Sequence, residues 1–481
     1  MSDERTPLFN RQDGIPNHGS IPSSEQPARE VTGGDEDGVD EIMKSPRNLL
    51  LVVAPMSIGI FLAATDQTIV LASYAAIGSE LKQLQKTSWL ATGYMLTLTS
   101  FQPLVVSIIM SDIVPLRSRG TWQGIINIVF ATGSSVGAPL GGLLVDSIGW
   151  RWSFFIQCPA VVVAITSVGL ALDLPLPETL DFKAKIQRVD FGGAITLVLT
   201  IFFFLYGLER GGNLSWKDHY TIGALVASVI LFLLFGAIEM EWAREPFAPK
   251  RIIVNRSLIA SYLVNFFGVA SQMAMLFHVS LYLQAVRSMS PSEAGLWLVP
   301  SIFGGVSGSL IGGLVIQATG KYYWVTVAGY FLQAIGQLNL TLSAGVLFTS
   351  VIAITVGLLV SGFGNGGGIT TSLIALISNA GHSDQAIATA VSYLFRSLGS
   401  VVGLSIGSTI LQDSLRSTLR KSLTGHDIDL IVKRVRESLK YLDELDPHTK
   451  SIVKSSYESS IHLTMWFSVG LAKNRWRREL D

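Results

Sequence analysis

The chain has 481 residues, of which 49% are hydrophobic and 15% charged, with a mean hydropathy of +0.46. Soluble domains carry about 25% charged residues, so long apolar stretches dilute the charge here. Its 35 Lys and Arg balance its 35 Asp and Glu, which argues against nucleic acid as a partner, and the single Cys158 excludes an internal disulfide.

Residues 1–46 are rich in Ser, Pro, Gly and acids and read as a disordered cytosolic tail. The first apolar run, 48–73, exceeds the ~7–15-residue core of a signal peptide, so it is predicted to be a retained transmembrane helix. Runs of roughly twenty residues follow at 88–114, 122–145, 152–174, 191–208, 220–239, 258–285, 294–318, 322–343, 346–370 and 389–411. Each can cross a ~30 Å hydrocarbon core. A last run, 460–472, is too short to span comfortably. Before it, 413–459 is expected as a long non-cytosolic loop, with an amphipathic stretch from Ile428 to Leu445 lying against the bilayer. Residues 473–481 form a basic tail. The partition expected is an N-terminal helix bundle at 47–174, linker helices at 175–240 and a C-terminal bundle at 258–472. Placing the tail in the cytosol puts ten Lys and Arg of the short loops on that side and six on the other, a modest positive-inside bias.

Two patterns from soluble enzymes fall inside these runs. Gly362, Gly364 and Gly367 fit G-x-G-x-x-G, but they end an apolar run, 350–360, where nucleotide binding needs a strand and a helix start. Gly133, Ser135 and Gly137 fit G-x-S-x-G without acid and histidine partners. No enzyme activity, cofactor or metal is expected. Gly133, Gly137 and Gly141 instead recur every four residues, so they share a helix face that lets a neighbour come close, and Pro139 adds a kink.

The full run Gly124-x8-Gly133-x3-Gly137-Ala-Pro139-Leu-Gly141-Gly142 resembles the antiporter motif of the fifth helix in drug:proton antiporters of the major facilitator superfamily. The family pattern has Pro directly after the third Gly, whereas Ala138 intervenes here. Asp66-Gln-Thr-Ile-Val70 resembles the end of the first helix in the fourteen-span branch. Ser111 to Gly120, Gly149 to Phe155 and Ser290 to Gly295 resemble later landmarks in the same order. Gly137 to Gly142 and Gln157-Cys-Pro159 are most similar to fungal vacuolar basic amino acid transporters. The resemblance runs from residue 48 to about 470. It implies an all-α polytopic membrane protein of the major facilitator fold.

One stretch of the pattern is missing. Ser100-Phe-Gln-Pro-Leu104 resembles the middle of the family's second helix, yet Val105 to Ser111 resembles the end of the fourth. The absent part of helix two, helix three and most of helix four amount to on the order of fifty residues, two spans and their loop. The N-terminal bundle is therefore expected to be depleted.

Candidate coupling residues follow. Asp66 is the acid well inside the first run, where a carboxylate costs about 2.5–3.5 kcal/mol on insertion scales. It is expected to hold a proton or a cationic substrate; the alternative is a hydrogen-bonded group near the helix end. Asn265, Gln272, His278, Gln284 and Asn365 are polar groups in or near spans of the second half. Asn265, Gln272 and His278, spaced by seven and six, share roughly one face; each suits interhelical hydrogen bonding, and an unperturbed His278 would titrate near pH 6.5. Glu4, Leu8 and Phe9 resemble an acidic dileucine sorting signal that a sorting adaptor would read. The resemblance implies proton-coupled exchange of a small solute across the bilayer, with basic amino acids moved into the vacuole as the leading substrate class. Drug or toxin efflux at the plasma membrane is one alternative. A non-transporting membrane sensor or an inactive splice form is the other.

Overall fold

The structure, a computed structural model, describes residues 46–87, 89–90, 93–94, 116–171, 191–242, 250–347, 349–381, 384–423 and 428–473. Nearly all of the expected run 88–114, the junction at Leu104 and the sorting pattern at Glu4, Leu8 and Phe9 lie outside these residues.

Hydrocarbon offers no water to a backbone amide, so each apolar run satisfies its N–H and C=O groups within a helix of its own. The first half contributes α1 (Pro46–Glu80), α2 (Leu116–Ser147), α3 (Trp150–Phe155) and α4 (Gln157–Ala171). The linker is α5 (Phe191–Asn213) and α6 (His219–Ala237), the latter continuing as a π-turn over Ile238–Trp242. The second half contains α7 (Lys250–Ile253), α8 (Arg256–Ala285), α9 (Pro291–Thr319), α10 (Tyr323–Ser343), α11 (Val351–Ala380), α12 (Gln385–Ser422), α13 (Ile428–Glu437) and α14 (Pro447–Lys473). Nine spans among the described residues are long and apolar enough to cross a membrane. Local chemistry sets the ends where it can be read. Ser290 and Glu293 form a reciprocal capping box ahead of Pro291 at the start of α9, and Gly320 ends that helix at a φ of 67°.

The C-terminal third differs from expectation. The short run 460–472 is the second half of α14, a 27-residue helix about 40 Å long at 1.5 Å per residue. The stretch 413–459 is mostly helix: α12 runs on to Ser422, α13 follows, and α14 begins at Pro447. These extensions are polar on one face only. Val453 and Tyr457 of α14 are buried, and Tyr457 donates to the Val435 carbonyl at 2.8 Å. The amphipathic segment also seats on protein, with Val432, Val435 and Leu442 in the main core. Apolar run length underestimates such helices because half of each turn faces water. The run 346–370 shifts likewise: Gly362, Gly364 and Gly367 lie in the middle of α11, a continuous helix.

Glycines explain why. On α11, Gly362 and Gly366 face Ser301 and Gly305 of α9, while Gly364 and Gly368 face Gln333 and Tyr330 of α10. A Cβ at any of these would strike the neighbour. The α2 motif works the same way. Gly133, Gly137 and Gly141 abut Phe61, Thr65 and Ile69 of α1, and Thr65 Oγ1 donates to the Gly133 carbonyl at 3.1 Å. Gly142 instead meets Pro291 and Ser292 of α9, and the intervening Ala138 is fully buried against Gly295.

The two halves are joined at one end of the bundle. Tyr74 of α1 stacks on Phe277 of α8 with ring centroids 3.7 Å apart and donates to the Phe277 carbonyl at 3.0 Å. Ser280 donates to the Leu71 carbonyl at 3.2 Å, the Ser292 amide to Asp146 at 3.1 Å, and the Leu439 amide to Ser79 Oγ at 2.8 Å. The main core unites Val70, Tyr74, Ala75 and Leu84 with α8 to α14. Glu80 holds Arg151 at 2.6 Å and Trp150 at 3.0 Å on the same end. These contacts lie near the ends of helices whose following loops the sequence places on the non-cytosolic side.

Gly137→Val should drive its side chain into the Thr65 backbone and cost about 1–3 kcal/mol, the range for overpacking. Gly223→Ala, on an open face of α6, should leave melting of the purified protein unchanged. Equal melting temperatures for the two variants would disprove the close α1–α2 contact.

Candidate functional site

Asp66 sits on α1 one residue from the α2 contact, on the side that faces α4. Gln157, the first residue of α4, donates from Nε2 to Asp66 Oδ1 at 3.0 Å and to the Ser153 carbonyl at 2.7 Å. Tyr94, whose hydroxyl donates to the Ala63 carbonyl at 2.7 Å, lies beside the same carboxylate. The break at Ile156 between α3 and α4 lets Gln157 reach across. Among the described residues no Lys, Arg or His stands within ion-pair distance of Asp66. A half-buried carboxylate served by a neutral amide keeps acceptor capacity for a proton or a cation. Gln157 drew notice in the sequence only through its motif. Its partnership with Asp66 spans 91 positions, which no local pattern encodes.

The second half gathers a different set. Asn265 and Gln272 are 1% and 3% exposed, and both face the interior of the C-terminal bundle. Gln272 Nε2 donates to Ser301 Oγ at 3.2 Å, and its Oε1 accepts from Ser361 at 2.8 Å and Gln333 at 3.4 Å. Gln333 also donates to the Gly268 carbonyl at 2.8 Å. Asn265 Oδ1 accepts from Ser372 at 3.2 Å and Tyr330 at 3.4 Å. Helices α8, α9, α10 and α11 are thus cross-linked by amides and hydroxyls. Ser271 extends the linkage, donating between Gln337 Oε1 at 2.6 Å and the Ser468 carbonyl at 2.7 Å. Sequence reading missed Gln333 and Gln337. Their four-residue spacing in an apolar run was the available signal, since it places both on one helix face.

His278 and Asn365 stay outside this network. The His278 ring is fully buried, with Nδ1 2.6 Å from the Ala274 carbonyl of its own helix and Nε2 without a partner among the described residues. It packs below Gly407 of α12. Asn365 Oδ1 has no described partner. Gln284 turns toward the first half, 3.5 Å from the Ala72 carbonyl. Gly124 lies in α2, near the start of the helix that carries Gly133, Gly137, Pro139, Gly141 and Gly142.

Comparison with known proteins agrees with this architecture. Residues 104–404 match the model of the Major Facilitator Superfamily. The vacuolar membrane amino acid uptake transporter fnx2 of Schizosaccharomyces pombe is 34% identical over 470 residues, covering 86% of this chain and 81% of that protein. The multidrug resistance protein fnx1 of the same yeast is 31% identical, covering 87% and 89%. The vacuolar basic amino acid transporter 1 of Saccharomyces cerevisiae is 28% identical, covering 75% and 78%. A bacterial homologue of the human lysosomal transporter Spinster shares the fold, with a TM-score of 0.54 at 14% identity over 89% of this chain and 96% of that one. The fnx2 alignment takes up only about 414 of this chain's residues, 86% of 481, so about 56 of its 470 positions face a gap here. The total is of the same order as the roughly fifty residues that the family resemblance implies are absent.

Gln272→Leu should strip the amide from Ser301, Ser361 and Gln333 while filling the same space. Each interhelical hydrogen bond lost is worth about 0.6–2 kcal/mol in a bilayer, so the purified variant should melt measurably lower. An unchanged melting curve would deny the amide a structural role.

Proposed function

The chain belongs to the Major Facilitator Superfamily, and from that premise we propose that it exchanges basic amino acids for protons across the vacuolar membrane, with Asp66 as the coupling carboxylate. That it is a multi-pass transporter, and no enzyme, follows from the family. What carries the finer reading is the Asp66 site: a carboxylate within a span, half-buried, hydrogen-bonded by Gln157 and facing no fixed cation among the described residues. Such an acid is costly in a bilayer and earns its place by binding something. A proton and a cationic side chain are the two ligands that neutralise it. The similarity to fnx2 and to the basic amino acid transporter favours the second as cargo and the vacuole as location.

Transport in this superfamily rests on two bundles rocking about a midplane site. In this chain the contacts between halves cluster at one end, through Tyr74, Phe277, Ser292 and Leu439. The family resemblance implies that part of helix two, helix three and most of helix four are absent from the first half, so the chain as written is expected to transport slowly. The efflux reading draws on fnx1 and on the glycine motif of α2.

Uptake of labelled arginine and lysine into isolated vacuoles tests the proposal in two arms. One uses the chain as written; the other carries the missing segment of fnx2 inserted between Leu104 and Val105. The completed chain should take up both amino acids with a pH gradient and lose this with Asp66→Asn, at unchanged expression. Uptake no faster than in empty vacuoles for the completed chain sinks the substrate assignment. Wild-type rates in the Asp66→Asn form sink the role of the carboxylate.

The address of the protein is a separate matter. With Glu4, Leu8 and Phe9 as the signal, Leu8→Ala with Phe9→Ala should move a fluorescent fusion from the vacuolar rim to the cell periphery. Unchanged vacuolar residence would place the signal elsewhere.

A further inference from the structure

A second polar site lies away from Asp66, at the end of the bundle where the halves are closed. It is a cavity of about 660 Å³ between the loop after α1, the end of α5, the end of α12 and the amphipathic α13. Its walls carry six basic side chains, Lys86, Arg210, Arg416, Arg420, Lys433 and Arg436, against three acids. Arg210 and Arg416 also pair with Asp218 and Asp413 beside the cavity, each at 2.7 Å, which leaves Lys86 and Arg436 without an ion pair among the described residues. The acids are already engaged. Asp429 pairs with Arg420 at 2.9 Å, Glu437 lies 4.0 Å from Lys433, and Glu209 accepts from Asn213 at 2.8 Å.

Arg436 is the group that defines the site. Val432 and Val435 point into the core, and the helical period turns Arg436 inward with them. Its Nη2 donates to Asn213 Oδ1 at 2.6 Å and its Nε to Gln412 Oε1 at 3.0 Å, both neutral acceptors. No carboxylate among the described residues stands within ion-pair distance of it. Burial, with Arg416 and Arg420 close by, lowers its affinity for its proton to a pKa of about 10, so it remains a cation at neutral pH. Arg416 and Arg420 beside it already hold carboxylates of their own, Asp413 and Asp429, and a half-buried guanidinium without one of its own is unfavourable unless an anion supplies the counter-charge. The planar guanidinium fork suits the paired oxygens of phosphate.

We propose that this cavity is a binding site for a multiply charged phosphate group, gripped by Arg436 with Lys86 and the α12 arginines. The group belongs either to a soluble phosphate compound or to the headgroup of an anionic lipid. Bound there, it bridges the loop of the first half, the linker helix and the second half. It therefore favours the state in which this end is closed.

Thermal unfolding of the purified full chain tests the site, with ionic strength held constant by sodium chloride so that screening does not vary. One arm titrates inorganic pyrophosphate into protein in neutral detergent. The other compares nanodiscs of phosphatidylcholine alone with nanodiscs containing phosphatidic acid. A saturable rise in melting temperature with pyrophosphate assigns a soluble ligand; a rise with phosphatidic acid alone assigns a lipid. Arg436→Gln should weaken the apparent affinity about tenfold or more, the loss expected for hydrogen bonds to a charged group. Lys86 is exposed, so Lys86→Gln leaves the fold intact and should weaken binding several-fold. Lys321→Gln, at the opposite end, should bind as the wild type does. Absence of a saturable rise in both arms overturns the proposal, as does a wild-type titration curve from Arg436→Gln combined with Lys86→Gln.

Discussion

Helices in a bilayer gain little by merely hiding apolar surface, because lipid is as apolar as their side chains, and close backbone contact with interhelical hydrogen bonds must hold them together. That constraint governs this molecule. α11 is inserted between α9 and α10 by glycines on two of its faces, and α2 is seated on α1 by Gly133, Gly137 and Gly141. Where the backbones approach, hydroxyls and amides complete the contact, as Thr65 does on Gly133 and Gln272 does between Ser301 and Ser361. The glycine patterns that mimic enzyme signatures are this packing seen in one dimension.

Among the described residues the two halves use this device differently. The second half is bound together by the amides of Asn265 and Gln272 on α8 and of Gln333 and Gln337 on α10, all facing inward. The first half has α1 packed by α2 on one side and by α4 on the other, and α4 presents much of its length outward, with Leu170 89% exposed. Asp66 lies in the first half, where Gln157 and Tyr94 are its neighbours among the described residues.

Closure at one end follows from the same residues that shape the core. Tyr74 brings α1 onto α8, and Gly142 with Ala138 brings α2 onto the start of α9. α13 then covers this end, with Val432 and Val435 facing the core, and the Leu439 amide beyond it bonded to Ser79 of the first half. The extra Ala138, which separates this motif from the antiporter pattern, lies in the contact with Gly295. Its position makes the departure a matter of how the halves meet.

Composition and periodicity by themselves determined the all-α membrane character, the positions of most spans and the meaning of the α2 glycines, since run length and i, i+4 spacing are local properties of the chain. Residue 258 to 285 became α8 and 322 to 343 became α10 with shifts of two residues or fewer. Asp66 stood out for the same local reason, a charge inside an apolar run. The length of α14 and the seating of α13 were decided by tertiary contact, because a helix half in water and half on protein has no apolar run to mark it, and the continuity of α11 by glycines that pack against α9 and α10. So was the pairing of Asp66 with Gln157, of Gln272 with Ser361, and of Arg436 with Asn213: each joins residues at least 89 positions apart, a distance across which only the packed helices carry information.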